Sequence, residues 1–212
     1  MIAKQLTDKA YEICVRFYGD NSNSANDRLL ILNNLATIYT KLKEFSKGKE
    51  LYERVIEEAI SQQNIGTKAL ALINLSDIYL VYENNFSKAE EYLRKAMKLE
   101  AASYIRDLAE MDLVFAQIMQ KNMDAVNSVD SNNTRIKDGL ISMFGHFSET
   151  EREDYWTQKS QGLVFLNNLS AMTFNTPQSI KIAYDNTIYT KSMLINSGRL
   201  LGQLVNDCSS DV

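Results

Sequence analysis

The side chains that could do chemistry in this 212-residue chain are few and scattered. His146 is the single histidine. A metal ligand or general base would want a second histidine or a cysteine–carboxylate cluster with it, and the sequence supplies neither. Cys14 and Cys208 form no CxxC pair; Cys14 falls among the apolar positions of a helical stretch and reads as packed rather than nucleophilic. Gly48-Lys49 lacks the earlier glycine and the following Ser or Thr of a phosphate loop, so the glycine reads as a helix-packing residue. The sequence predicts no catalytic residue, no metal site and no cofactor.

Two asparagines offer a different chemistry. Asn34 and Asn74 stand 40 residues apart inside near-identical wording. A primary amide presents both a donor and an acceptor, which suits an extended peptide backbone. The alternative is that each asparagine bridges neighbouring helices. Thr37, Lys41 and Asp77 are expected near the same surface.

The elements that would hold these residues come from a repeat. Leu32-Asn33-Asn34-Leu35-Ala36-Thr37-Ile38-Tyr39 aligns with Leu72-Ile73-Asn74-Leu75-Ser76-Asp77-Ile78-Tyr79. Leu32, Leu35 and Tyr39 fall at i, i+3 and i+7, and so do Leu72, Leu75 and Tyr79, one face of a helix in each case. Ala36 and Ser76 are small where a paired helix must cross closely. The match continues from Phe45-Ser46-Lys47-Gly48 to Phe86-Ser87-Lys88-Ala89, now at an offset of 41. One extra residue is therefore expected in the second repeat's inter-helix turn, near Glu83-Asn84-Asn85. Gly48 and Ala89 are the small residues of the second helices. Tyr52 and Leu93, with Val55 and Ala96, are expected to fill the gap toward the next unit.

This pattern resembles the tetratricopeptide repeat, a helix–turn–helix unit, and its longer period and Asn-Asn-Leu-Ala wording look most like the kinesin-light-chain type. The resemblance implies that Asn34 and Asn74 face a concave groove that binds peptide. Upstream, residues 8–19 read as a second helix whose partner is missing, followed by a polar link into Asp27 as an N-cap. Downstream, residues 101–120 read as the first helix of a degenerate third unit. Asn127 to Asn133 reads as a loop, and a helix over 135–147 would complete that unit.

Ser148-Glu-Thr-Glu151 has capping-box spacing, so a helix is expected from about Glu149 to Met172. Another should start at Thr176-Pro177. Phe147-Ser-Glu-Thr-Glu-Arg-Glu-Asp-Tyr-Trp156, Ala183-Tyr-Asp-Asn186 and Lys191-Ser-Met-Leu-Ile195 together resemble bacterial proteins that join tetratricopeptide repeats to a caspase-like CHAT protease. In that family the protease follows this segment and supplies a His–Cys dyad. No residue here matches the dyad, so the resemblance implies a regulatory, partner-sensing arm without the peptidase.

The formal net charge of −4 argues against nucleic acid and anionic lipid as partners. One proline and eight glycines are too few for an all-β chain of this length. The opening residues lack a signal-peptide core, and no run is apolar enough for a membrane helix, so a cytoplasmic protein is expected. The expectation is an all-α, right-handed α-solenoid of about nine helices, with a repeat array over 1–147 and a helical extension over 148–212. Its leading function is protein or peptide binding. A self-assembling helical module, with homo-oligomers formed through exposed repeat ends, and a non-catalytic fragment of a longer peptidase are the alternatives.

Overall fold

The structure, a computed structural model, describes residues 2–18, 25–144 and 149–190, all of them helix or short connection. Scarce glycine and proline leave little to interrupt helices, and none of the described residues is in a strand. The helices are α1 (Ile2–Tyr18), α2 (Ala25–Lys41), α3 (Phe45–Ser61), α4 (Ile65–Asp77), α5 (Phe86–Met97), α6 (Ser103–Met119), α7 (Asp124–Phe144) and α8 (Glu149–Phe174). A ninth, α9, covers 177–190. The chain divides into two compact units, Met1–Gln120 and Lys121–Val212. His146 and Cys208 lie outside the described residues, as do Phe147, Ser148 and the 191–195 motif.

In the first unit each helix packs on the next in sequence, and the alternate helices α2, α4 and α6 also touch. This is an all-α helical repeat fold: α2/α3 and α4/α5 are the two units read from the sequence, with α1 ahead of them. Leu32, Leu35, Ala36, Tyr39, Tyr52, Leu72, Leu75, Ser76, Tyr79, Ala89, Leu93 and Ala96 are all buried, and so is Gly48. All of these but Ser76 and Gly48 belong with Cys14, Val55, Ile105 and Ala109 to a core that runs from α1 to α6. Gly48 marks a close crossing of α2 and α3. A Cβ on it would sit 2.7 Å from the Thr40 hydroxyl and 3.3 Å from the Ala36 carbonyl oxygen.

The turns repeat as well. Lys43 and Asn84 both take left-handed backbone, with φ of 63° and 50°, the conformation that ends a helix and reverses the chain. Asn64 and Asn85 then cap α4 and α5 by accepting from the backbone N–H of Thr67 and Lys88. Asp27 is inside the first turn of α2 rather than ahead of it, where its carboxylate still faces the positive end of the helix dipole.

The extra residue of the second repeat is not in the turn. Three residues link each helix pair, Leu42 to Glu44 and Glu83 to Asn85. The insertion is instead absorbed by a π-helical segment, Ile78–Tyr82, that ends α4. The Glu44 N–H reaches back to the Tyr39 carbonyl, whereas Asn85, one residue later in its repeat, reaches back to Tyr79. Widening the last turn lets Tyr79 keep its buried place while the following turn keeps its geometry.

In the second unit the expected loop at Asn127–Asn133 is helix: α7 runs through it without a break. Asn132 and Asn133 are buried, and Asn133 exchanges two amide hydrogen bonds with Asn167 of α8, at 2.8 and 2.9 Å. Ser128 and Thr134 return their hydroxyls to carbonyls one turn earlier. These tertiary and local bonds offset the poor helix propensity of an Asn/Ser/Asp run. At the start of α9, Thr176 accepts from the Ser179 N–H at 3.1 Å while Ser179 accepts from the Thr176 N–H at 3.0 Å, a reciprocal cap.

Candidate peptide-binding face

Residues four apart on a helix share a face, so Leu30, Asn34 and Ile38 form a stripe on α2. All three are exposed. The same repeat positions on α4 and its π-helical end are Leu70, Asn74 and Ile78, of which Leu70 and Asn74 are half-buried and Ile78 is buried; Val81, three residues further on, is exposed. On α6 the stripe is Tyr104, Leu108 and Phe115, with the first two exposed. Because α2, α4 and α6 adjoin one another, these stripes form one face of mixed apolar and amide character.

The two asparagines differ in what they do. Asn34 is exposed to solvent. Asn74 donates its amide N–H to the side-chain oxygen of Asn33, 3.2 Å away on α2. The bridging role weighed for both thus falls to Asn74, with Asn33 as its partner. Asn33 is buried.

Thr37 is also engaged within the array. Its hydroxyl donates to the Asn33 carbonyl at 3.0 Å and meets the Tyr52 hydroxyl at 2.8 Å. Lys41 stands exposed at the last turn of α2.

Asp77 is half-buried on α4, and burial pushes its carboxyl up to about 6. Asp112 on α6, also half-buried, is pushed up to about 7 by burial and by repulsion from Asp77. Loss of hydration disfavours the ionised form of both groups, and at Asp112 repulsion from Asp77 adds to it.

A separate cavity of about 410 Å³ opens between α1, α2 and α3, lined by Asp8, Tyr11, Tyr39 and Lys47 among others. Its polar groups answer one another. Tyr39 donates to Asp8 at 2.6 Å, and Lys47 donates to the same oxygen at 2.9 Å while lying over the Tyr39 ring. These bonds hold the Asp8 carboxyl below its usual range.

Residues 27–99 match the family model described as tetratricopeptide repeat. That stretch is a tetratricopeptide repeat region. The match covers α2 to α5 and ends just past the two units whose wording repeats. No curated protein and no solved structure matches the chain. Repeat regions of this kind mediate protein–protein contacts on an all-helical, typically non-catalytic scaffold. Among the described residues no three His, Cys, Asp or Glu side chains gather as a metal site, and no helix is long and apolar enough to cross a membrane.

Several participants in the face escaped the sequence reading. Asn33 had a signal, since it precedes Asn74 by 41 residues, the offset at which the second helices align. Leu30 and Ile38 are ordinary apolar residues whose exposure only packing reveals. Asp112 had none, because α6 departs from the repeated wording.

Proposed function

We propose that the α2–α4–α6 face receives an extended segment of a partner protein, making this chain a peptide-binding scaffold. What carries the reading is the row of exposed apolar residues on successive first helices, Leu30, Ile38, Val81, Tyr104 and Leu108. Between them lie the groups that can order a backbone, Asn34 above all, with Lys41 and Asp77 at the margins. Thr37 and Asn74 support this surface from within the array and contact the partner less. An apolar row edged with polar groups is what a docking surface requires.

The same proposal places the repeat array at 1–147 and treats 148–212 as a helical extension resembling the connector that precedes a CHAT protease. The kinesin-light-chain-like wording around Asn34 and Asn74 and the Trp156 and Ala183–Asn186 motifs support it. In that setting the chain acts as the partner-sensing arm of a cytoplasmic, bacterial regulator.

The test is selection of binders from a displayed library of linear peptides, followed by titration against variants. Ile38→Arg and Leu108→Arg should each weaken the selected peptides at least about tenfold. Glu57→Ala, on the exposed part of α3, should leave them unchanged. Peptides that bind equally to all four proteins would place the interaction elsewhere and sink the reading.

A further inference from the structure

We infer that α9, in the second unit, is a self-association surface on which a second copy of this chain seats its own α9, antiparallel and across a two-fold axis. The surface is separate from the α2–α4–α6 face and takes a different occupant.

The contrast between α9 and the second helices of the two repeats opens the argument. α9 buries Ser179, Ala183 and Asn186, two polar residues and one small one. The same spacing buries Ala89, Leu93 and Ala96 on α5, and Gly48, Tyr52 and Val55 on α3. At one, five and nine residues past the first of each set, α3 has Lys49, Glu53 and Glu57, and α5 has Glu90, Arg94 and Lys98. All six are charged. α9 has Ile180, Tyr184 and Ile188 at those places, exposed at 48%, 65% and 49%. Residues four apart stack along one face, so the three make a continuous apolar stripe about 12 Å long. Single apolar residues are ordinary on a surface, but a stripe where matching helices carry charge marks a contact.

The pattern and charge of the stripe select its occupant. Ile180, Tyr184 and Ile188 read the same in both directions. An antiparallel copy related by a two-fold axis at Tyr184 therefore sets each Ile180 against the partner's Ile188 and brings the two tyrosine rings together. Lys181 and Asp185, exposed and ion-paired with each other along α9, border one edge of the stripe. Antiparallel pairing keeps that edge on the same side of both helices. It leaves Lys181 and the partner's Asp185 only about 3 Å apart along the axis, so two ion pairs can form across the interface. Parallel pairing would put the two edges on opposite sides and form neither. An edge with one cation matched by one anion suits neither an anionic lipid surface nor a strongly charged peptide. One helix face is a small interface, so the dimer belongs in the micromolar range.

The experiment is sedimentation equilibrium of the full chain across the micromolar range, with folding of each variant checked by circular dichroism. The native chain should rise from the mass of one copy toward that of two. Tyr184→Glu, at an exposed position, should weaken the dimer at least about tenfold. Lys181→Asp and Asp185→Lys should each weaken it when alone, because like charges then meet across the interface. Mixed in equal amounts, those two variants should dimerise again, since both ion pairs are restored between unlike copies. Ile38→Arg, in the first unit, should leave the mass unchanged. A mass of one copy at every concentration overturns the inference and leaves the stripe to a different protein. A dimer indifferent to Tyr184→Glu, or broken by Ile38→Arg instead, overturns it by moving the interface off α9. A dimer that needs Tyr184 but shows no rescue in the mixture overturns the antiparallel pairing.

Discussion

Asn74 on α4 donates its amide to Asn33 on α2 across 3.2 Å, so neighbouring first helices are tied by a side-chain bond at the position where the repeat wording is strongest. Asn34, one residue along from that acceptor, faces solvent. Identical residues at equivalent repeat positions therefore do different work. Asn74→Ala should cost about 0.5–1.5 kcal/mol by removing the bond to a buried acceptor. Asn34→Ala should stay within about 0.5 kcal/mol of the native chain. Urea denaturation of both variants checks this, and a larger loss for Asn34→Ala would contradict the assignment.

Gly48 packs tightly against α2. Its added Cβ would meet the Thr40 hydroxyl, which is itself held by donation to the Ala36 carbonyl at 2.9 Å. A β-branched Thr cannot swing away freely. Gly48→Val should therefore destabilise by about 1–3 kcal/mol, although valine has the better helix propensity. Ala36→Leu, on the facing helix, should cost a similar amount. Thermal melts of the two variants give the comparison.

The two raised carboxyls make a pH prediction with a definite sign. A folded-state value above the ordinary 3.8 means that the native state holds its proton where the unfolded state has released it. The stability from these groups is complete below about pH 4 and is lost as pH rises through about 6 for Asp77 and about 7 for Asp112. Asp112→Asn removes a charge the fold does not compensate. It should raise the melting temperature at pH 8 by a few degrees, about 1–2 kcal/mol once partial exposure is discounted. At pH 5 the gain should largely vanish. A gain equal at both pH values would refute the assignment.

In the second unit the buried Asn133–Asn167 amide pair can be separated from general packing by a double-mutant cycle. Asn133→Leu alone leaves the Asn167 amide without that partner and should cost about 1–3 kcal/mol. Asn133→Leu/Asn167→Leu, which removes both polar groups together, should lose less than the sum of the two single changes. Additive losses would show that the pair is not a coupled unit.

The sequence by itself determined the repeat. Residues such as Leu32, Leu35 and Tyr39 are dictated by a 3.6-residue period and by the need for small neighbours at Ala36 and Gly48, so their spacing is legible without coordinates. The helical course from Glu149 and the proline-opened helix at Pro177 were equally legible, the latter because its Thr176–Ser179 cap is local chemistry. The tertiary structure decided what depends on residues far apart. It placed the inserted residue in a π-helical turn, since holding Tyr79 in the core outweighed regular helix geometry. It kept Asn127–Asn133 helical, because Asn167, 34 residues beyond Asn133, satisfies a buried amide that local propensity would have left in a loop. It divided the roles of Asn34 and Asn74, and it half-buried Asp77 and Asp112, which raises both carboxyls. Periodicity records which face of a helix is buried, but the partner that a polar group finds on another helix is fixed only when the helices meet.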